Sequence, residues 1–411
     1  MFGTMLGLHL IPFFGSPVYA GLLLAASVAY MWFAKEVLRH PVDDTLVLVL
    51  LAGSLALRAT FLAAVPVGSD DVYRYIWDGK VQAAGLNPYL YAPNAPALTF
   101  LASDLLPAAV NHPELKSVYF PLSQWIFYLS YAAGGEHVWA FKAFLLVAET
   151  LTIVAVWRLA PALHVPRSST LLYALCPLPI FQFAYDAHLD GLGIPLLAFA
   201  LLYHLRRQRM FSLLLLGASL AVKPVGLVLL PFLVMREKSA ASRILTALLP
   251  FVPFVIQFVP YLSSANPFEG LATFSRHWTF NGIAFEALDA VLADNLVARL
   301  VCAALLVAAL LILLRSRVEE MAQMYYAVLF LLLLSPVVHP WYVCWLVLFM
   351  PFLPRWSGIV YAATASLTVI TVIQYRSTGV WTQHPLALIG EYGPVLGLLG
   401  WELWKERSLH R

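Results

Sequence analysis

Two adjacent carboxylates, Asp70 and Asp71, open a polar stretch that reads Ser69-Asp70-Asp71-Val72-Tyr73-Arg74-Tyr75-Ile76-Trp77-Asp78-Gly79. Ser69 suits a helix N-cap, which puts both aspartates in the first turn, where the helix dipole favours negative charge. Arg74 is four residues from Asp70 and from Asp78, so the three can share one helical face. Such a carboxylate pair either neutralises a helix end or takes a proton from a hydroxyl held against it. The pair follows directly on an apolar run, within reach of a lipid headgroup. After it, Gly85 suits a helix C-cap and Asn87-Pro88 a turn. Tyr89 and Tyr91 then suit either an interfacial anchor or a sugar-stacking surface.

Three more groups carry chemistry. Asp186, His188 and Asp190 sit within Tyr185-Asp186-Ala187-His188-Leu189-Asp190-Gly191, a spacing open to a divalent cation or to a plain polar turn. Lys223 interrupts the apolar stretch 210–235, and an ammonium there is costly without a partner. That partner is a carboxylate at the same depth, such as Glu149, or the phosphate of a lipid, for which lysine serves as a point charge. His339, between Pro336 and Pro340 and followed by Trp341 and Tyr342, is either a capping donor in an aromatic belt or a second donor to that phosphate. His277 and Trp278 form a similar pair further up the chain.

The elements that must position these groups follow from composition. Of 411 residues, 61% are hydrophobic and 11% charged, with mean hydropathy +0.80. A membrane helix needs roughly 20 apolar residues, so the supply covers about 11–13 spans. A soluble enzyme, a nucleic-acid reader and a secreted disulfide scaffold are excluded. The net charge of +3 argues for no acidic polymer, and Cys176, Cys302 and Cys344 all lie in apolar runs with no metal-ligand spacing. The expected class is an all-α polytopic membrane protein. Spans fall near 17–35, 45–66, 137–157, 169–184, 187–205, 241–262, 295–314, 320–336, 341–353, 357–375 and 385–404. Residues 1–411 read as one membrane domain with a large outer loop at 67–118 and a second at 263–294. Met1 to Ser16 carry no positive n-region, which argues against a cleaved leader.

Basic residues set the orientation. Sixteen of the 25 Lys and Arg residues can share one side, five fall on the other and four lie inside apolar runs. Two conditions follow. Residues 119–133 must lie at the outer interface or re-enter, and residues 210–235 must go in and come back. Pro224 removes a helix donor and biases Lys223 away from helical angles, so a break at that point is expected. With the basic side inward, all the polar groups above face outward together.

The run Ser69 to Pro93, SDDVYRYIWDGKVQAAGLNPYLYAP, resembles the first outer loop of the polyprenyl-phosphate-sugar-dependent glycosyltransferases of the GT-C fold. Bacterial mannosyltransferase-like members, including glycosyltransferase family 87, are the particular likeness. In order along the chain, Tyr119-Phe120-Pro121-Leu122 is similar to the family's Tyr-Pro-Pro-Leu turn. Asp186 to Asp190 resembles its His-Asn-Asp segment, Lys223-Pro224 its Lys-Pro break, and His339-Pro340-Trp341-Tyr342 its late His-Pro-Trp-Tyr stretch. The likeness covers roughly residues 45–355, with Phe120 and the Asp-Ala-His-Leu-Asp order as departures.

The resemblance implies a GT-C-like bundle whose first outer loop carries short helices and a catalytic carboxylate, a lipid-linked sugar donor and inversion at the anomeric carbon. On this reading the protein moves a hexose, mannose by resemblance, from a polyprenyl phosphate to an acceptor hydroxyl on a glycan, lipid or protein. It acts at the outer face of the inner membrane among membrane lipids, without nucleic acid. Asp70 is the general base with Asp71 as partner, and Lys223, His339 and Arg74 hold the donor phosphate. Trp77, Asp78, Asn87, Tyr89, Asp186, His188, Asp190, His277, Trp341 and Tyr342 line the substrates. No cofactor is called for, with a divalent metal at 186–190 as the alternative. A secondary transporter built on an intramembrane Lys/Asp/His site is the rival function.

Overall fold

A computed structural model describes residues 16–262, 266–380 and 382–409. The expectation about a leader rests on residues outside that set, as does the 263–265 part of the second outer loop. The apolar runs become helices for most of their length, and those at Val138–Ala162, Asp190–Leu205 and Pro385–Leu409 carry a proline inside them. Helices α1 (Ser16–Arg39) and α2 (Asp44–Thr60) come first, and the Asp43 carboxylate caps α2 by accepting from the Thr45 and Leu46 N–H groups at 3.0 and 3.1 Å. Then follow α3 (Asp71–Ala83), α4 (Pro121–Gly134), α5 (Val138–Ala162), α6 (Asp190–Leu205) and α7 (Arg209–Leu220). Pro121 stands at the start of α4, where a missing N–H costs nothing, and Gly135 at φ +59 ends it. Beyond lie α8 (Asn295–Arg315), α9 (Glu320–Leu334), α10 (Pro340–Val347) and α11 (Pro385–Leu409).

The protein is an all-helical polytopic membrane protein. Five helices among the described residues have the length and hydropathy to cross a bilayer: Val18–Arg39, Val138–Ala162, Ala240–Tyr261, Asn295–Arg315 and Trp356–Tyr375. The expected span at 169–184 is instead a chain of short turns ending in a π-helical turn, Ile180–Tyr185. Pro177 and Pro179 deny it continuous helical bonding. The expected span at 341–353 is helical only over Pro340–Val347, and residues 343–350 are fully buried in the largest core cluster. Eight residues rise about 12 Å, too little to cross.

Of the two conditions set by the basic residues, the path of the second is visible in the backbone. Residues 121–134 form a short helix packed beside α3. The stretch after α7 breaks where expected: Lys223 is extended at φ −155, and a 3-10 turn, Pro224–Leu229, follows. Gly226 lies where a Cβ would meet the Leu216 side chain at 2.9 Å, so the returning limb packs on α7. Arg209 Nε and Glu237 Oε1, at the two ends of the excursion, are 3.4 Å apart. The chain goes in and comes back.

Ion pairs join the basic turns to one another at that end, Arg167 to Asp44 at 2.7 Å and Arg236 to Glu320 at 3.2 Å. Lys80 pairs with Glu136 at 2.6 Å just before the other end of α5, and Lys116 pairs with Glu269 at 2.8 Å. Inside the bundle, Arg58 and Glu149 pair at 3.0 Å, and the Tyr173 hydroxyl donates to Glu149 at 2.6 Å. A buried charge survives only when paired and hydrogen-bonded in this way. A second, smaller core built from Val72, Tyr75, Ile76, Trp77, Phe127 and Phe141 fastens the outer loop to α5.

Candidate active site

The N-terminus of α3 delivers the carboxylate pair. Asp70, not Ser69, occupies the cap position, and Ser69 Oγ accepts from the Asp71 N–H at 3.2 Å. One side chain bridges the two aspartates: Asn111 Nδ2 donates to Asp70 Oδ1 at 2.8 Å and to Asp71 Oδ1 at 2.7 Å. Nothing in the sequence singled out Asn111, a polar residue in a polar loop. Asp71 Oδ2 lies 3.5 Å from His188 Nδ1. Both His188 ring nitrogens are buried without a hydrogen-bond partner among the described residues, so this imidazole is held against the carboxylate and otherwise uncommitted.

The two carboxyls are driven apart electrostatically. Burial and the neighbouring Asp71 charge raise Asp70 above the usual carboxylate range, and the Asn111 bond only partly offsets this. Burial also pushes Asp71 upward, but His188 and Asn111 outweigh it and hold Asp71 below its ordinary value. Asp71 is therefore the ionised member and Asp70 the one closer to taking a proton.

His188 belongs to a column of rings. Its imidazole stacks on Trp341 with centroids 3.5 Å apart, Trp341 on His339 at 4.2 Å, and His339 on Phe280 at 4.6 Å. Both faces of Trp341 are thus covered, and a sugar can meet only its edge. Burial drops His339 to about 3, which leaves a neutral ring that donates one N–H. Phe280 is set by backbone bonds to the turn before His339: its N–H donates to the Pro336 carbonyl at 3.0 Å, and its carbonyl accepts from Val338 at 2.7 Å.

Lys223 does have a carboxylate partner, and it is Asp190 rather than Glu149. The ammonium lies 2.8 and 3.0 Å from the two Asp190 oxygens and 3.4 Å from the centre of the Tyr342 ring. Trp345 Nε1 donates to Asp190 Oδ1 at 2.7 Å. Asp190 is 2% exposed and Lys223 22%, so the lysine keeps one open side.

Several expected site residues point elsewhere. Asp186, His188 and Asp190 diverge because Ala187 takes a left-handed φ of +63 and reverses the chain between them. Asp186 accepts from the Tyr19 hydroxyl at 2.6 Å and the Gly68 N–H at 2.8 Å, pinning the approach to α3. No trio of His, Cys, Asp or Glu side chains converges to hold a metal among the described residues. Arg74 donates to Asp78 at 2.9 Å, and Asp78 also accepts from Ser117 at 2.6 Å and Gln124 at 2.8 Å, so this buried network braces the loop, with Arg74 Nη2 left without a hydrogen-bond partner among the described residues. Trp77 is core, Tyr89 donates to the Tyr119 carbonyl at 2.6 Å, Asn87 donates to the Tyr261 carbonyl at 3.2 Å, and His277 is exposed at a helix end.

Comparison with known proteins agrees with the class of chemistry this arrangement can perform. Residues 8–238, more than half of the chain, match the family model described as alpha-(1->6)-mannopyranosyltransferase, N-terminal domain, and residues 280–392 match that of the MptB C-terminal domain. No curated protein matches the chain. Among solved structures, ArnT from Cupriavidus metallidurans bound to undecaprenyl phosphate aligns at 15% identity and TM-score 0.49, covering 87% of this chain and 76% of that one. The apo form of ArnT from Cupriavidus metallidurans aligns at 16% identity and TM-score 0.47, covering 85% and 75%.

Proposed function

This chain belongs to the alpha-(1->6)-mannopyranosyltransferase family, and from that premise we propose that it moves mannose from a polyprenyl phosphate to a sugar hydroxyl at the outer membrane face. The observation that carries the reading is the placement of Asp71, gripped by His188 and Asn111 and held below the usual carboxylate range, at the same end of the bundle as Lys223, whose ammonium keeps one open side beyond Asp190. The family match favours a transferase over the transporter.

The acceptor hydroxyl gives its proton to Asp71 as its oxygen attacks the anomeric carbon. The bond from that carbon to the phosphate oxygen breaks, and its electron pair leaves on the phosphate. The open side of Lys223 and the single N–H of the neutral His339 ring meet the charge that develops there. Asp71 takes the base role ahead of Asp70 because it lies against His188, within the ring column that leads to His339. Asp70 lies on the exposed side, where it meets the incoming acceptor. A low carboxylate pKa makes a weak base, so its contribution lies in placement and in negative charge beside an oxocarbenium-like centre. Inversion that ends in an alpha linkage requires a beta-linked donor.

The test is direct. Purified protein is incubated with beta-linked polyprenyl-phosphate mannose and a mannoside acceptor, and the product linkage is read by NMR. An alpha-1,6 product supports the proposal. Consumption of a nucleotide sugar instead, or a beta product, refutes the donor or the inversion respectively.

A further inference from the structure

At the end of the bundle opposite the carboxylate pair, a groove of about 470 Å³ is lined by Val154, Trp157, Arg158, Pro161, Arg167 and Arg206. Three guanidinium groups face one concavity, and only one is matched by a carboxylate: Arg167 pairs with Asp44 at 2.7 Å. Arg158 and Arg206 are exposed and have no hydrogen-bond or ion-pair partner among the described residues. The groove therefore carries two uncompensated positive charges. Arg167 also lies 4.9 Å from the centre of the Trp157 ring, which fixes one wall of the groove.

The groove continues into the bilayer as a stripe on α5. Val147, Leu151 and Val154 are 59%, 44% and 36% exposed, and with Arg158 they recur at intervals of four, three and four residues. That spacing is one helical face. From 147 to 158 the rise is about 16 Å, the depth of one leaflet's hydrocarbon. An apolar track one leaflet deep, ending at paired guanidiniums beside an indole, has the dimensions and polarity of a phospholipid.

We infer that this groove holds an anionic phospholipid of the leaflet on the basic side, with its phosphate between Arg158 and Arg206 and an acyl chain along Val147, Leu151 and Val154. Guanidinium forks match phosphate oxygens in pairs, and basic pockets between helices on this side of a membrane suit anionic headgroups. The site is independent of the transfer chemistry, since α5 separates the two ends by about 37 Å.

The experiment compares full-length wild type, Arg158→Gln/Arg206→Gln and Arg207→Gln, purified in detergent. Arg207 adjoins Arg206 in sequence but does not line the groove. Thermal unfolding is followed on titration with phosphatidylglycerol, phosphatidylcholine of the same chains, and inorganic phosphate. Wild type and Arg207→Gln should gain stability from phosphatidylglycerol alone, and the double variant should bind it about 25-fold more weakly, roughly fivefold per arginine. Mannosyl transfer by the detergent-solubilised double variant should stay at the wild-type rate, which separates this site from the catalytic one. Equal response to phosphatidylcholine, or an unchanged response in the double variant, overturns the proposal. So does the same loss in Arg207→Gln, which would mark a diffuse surface effect. Stabilisation by inorganic phosphate at matching concentration would assign the arginines to a free anion and overturn the lipid.

Discussion

Removing the Lys223 charge tests the centre of the site, and the structure sets the size of the effect. Lys223→Met keeps most of the aliphatic stem over Tyr342 but leaves the Asp190 carboxylate, 2% exposed, with only the Trp345 N–H. Stranding one member of a buried pair costs about 3–5 kcal/mol. The 22% exposure of Lys223 admits some water to the pair, so about 3 kcal/mol is expected. Asp190→Asn should cost a similar amount, because the ammonium then loses its countercharge while the amide oxygen still accepts from Trp345. The double variant leaves no stranded charge and should cost only about 1–2 kcal/mol, a coupling of about 4–5 kcal/mol. Unfolding free energies for the four proteins, from steric trapping in bicelles, supply the cycle. If the two single costs add to within about 0.5 kcal/mol, Lys223 and Asp190 do not pair, and the geometry of the site is wrong. Donor affinity on the same preparations separates roles: a further loss in Lys223→Met over Asp190→Asn belongs to the phosphate.

Three other outcomes are expected. Asp71→Asn should lower turnover by about a hundredfold or more with donor affinity nearly unchanged, and Asp70→Asn should lose less; the reverse order would move the base to Asp70. Asp70 has a raised folded-state pKa, so its ionised form destabilises the fold above that pKa and the penalty fades as pH falls. Asp70→Asn should therefore raise the melting temperature at pH 7 and leave it unchanged near pH 4; a lower value at pH 7 would refute the assignment. Single cysteines introduced after removal of Cys176, Cys302 and Cys344 should label in intact cells at position 80 and only after lysis at position 207.

Composition and charge decided the class of this molecule, because transfer to a bilayer sums over side chains and the positive-inside bias is a property of whole loops. The break at Lys223-Pro224 was legible for a local reason, the missing proline donor, and the Asp70/Asp71 pair was legible from its motif and its place after an apolar run. Apolar runs did not reveal that residues 169–185 and 340–353 would be broken and buried, since hydropathy does not register where neighbouring helices fill the space.

Partnership was beyond the sequence altogether. Lys223 and Asp190 are 33 residues apart and Trp345 and Asp190 155 apart, yet each pair meets below 3 Å. Asn111 reaches across 40 residues to hold Asp71. One left-handed residue, Ala187, sends Asp186 to brace the chain and His188 to the site, although the three polar residues look like a single cluster on paper. Hydrogen bonds and ion pairs act over about 3 Å, and only the packing of the bundle decides which side chains come that close.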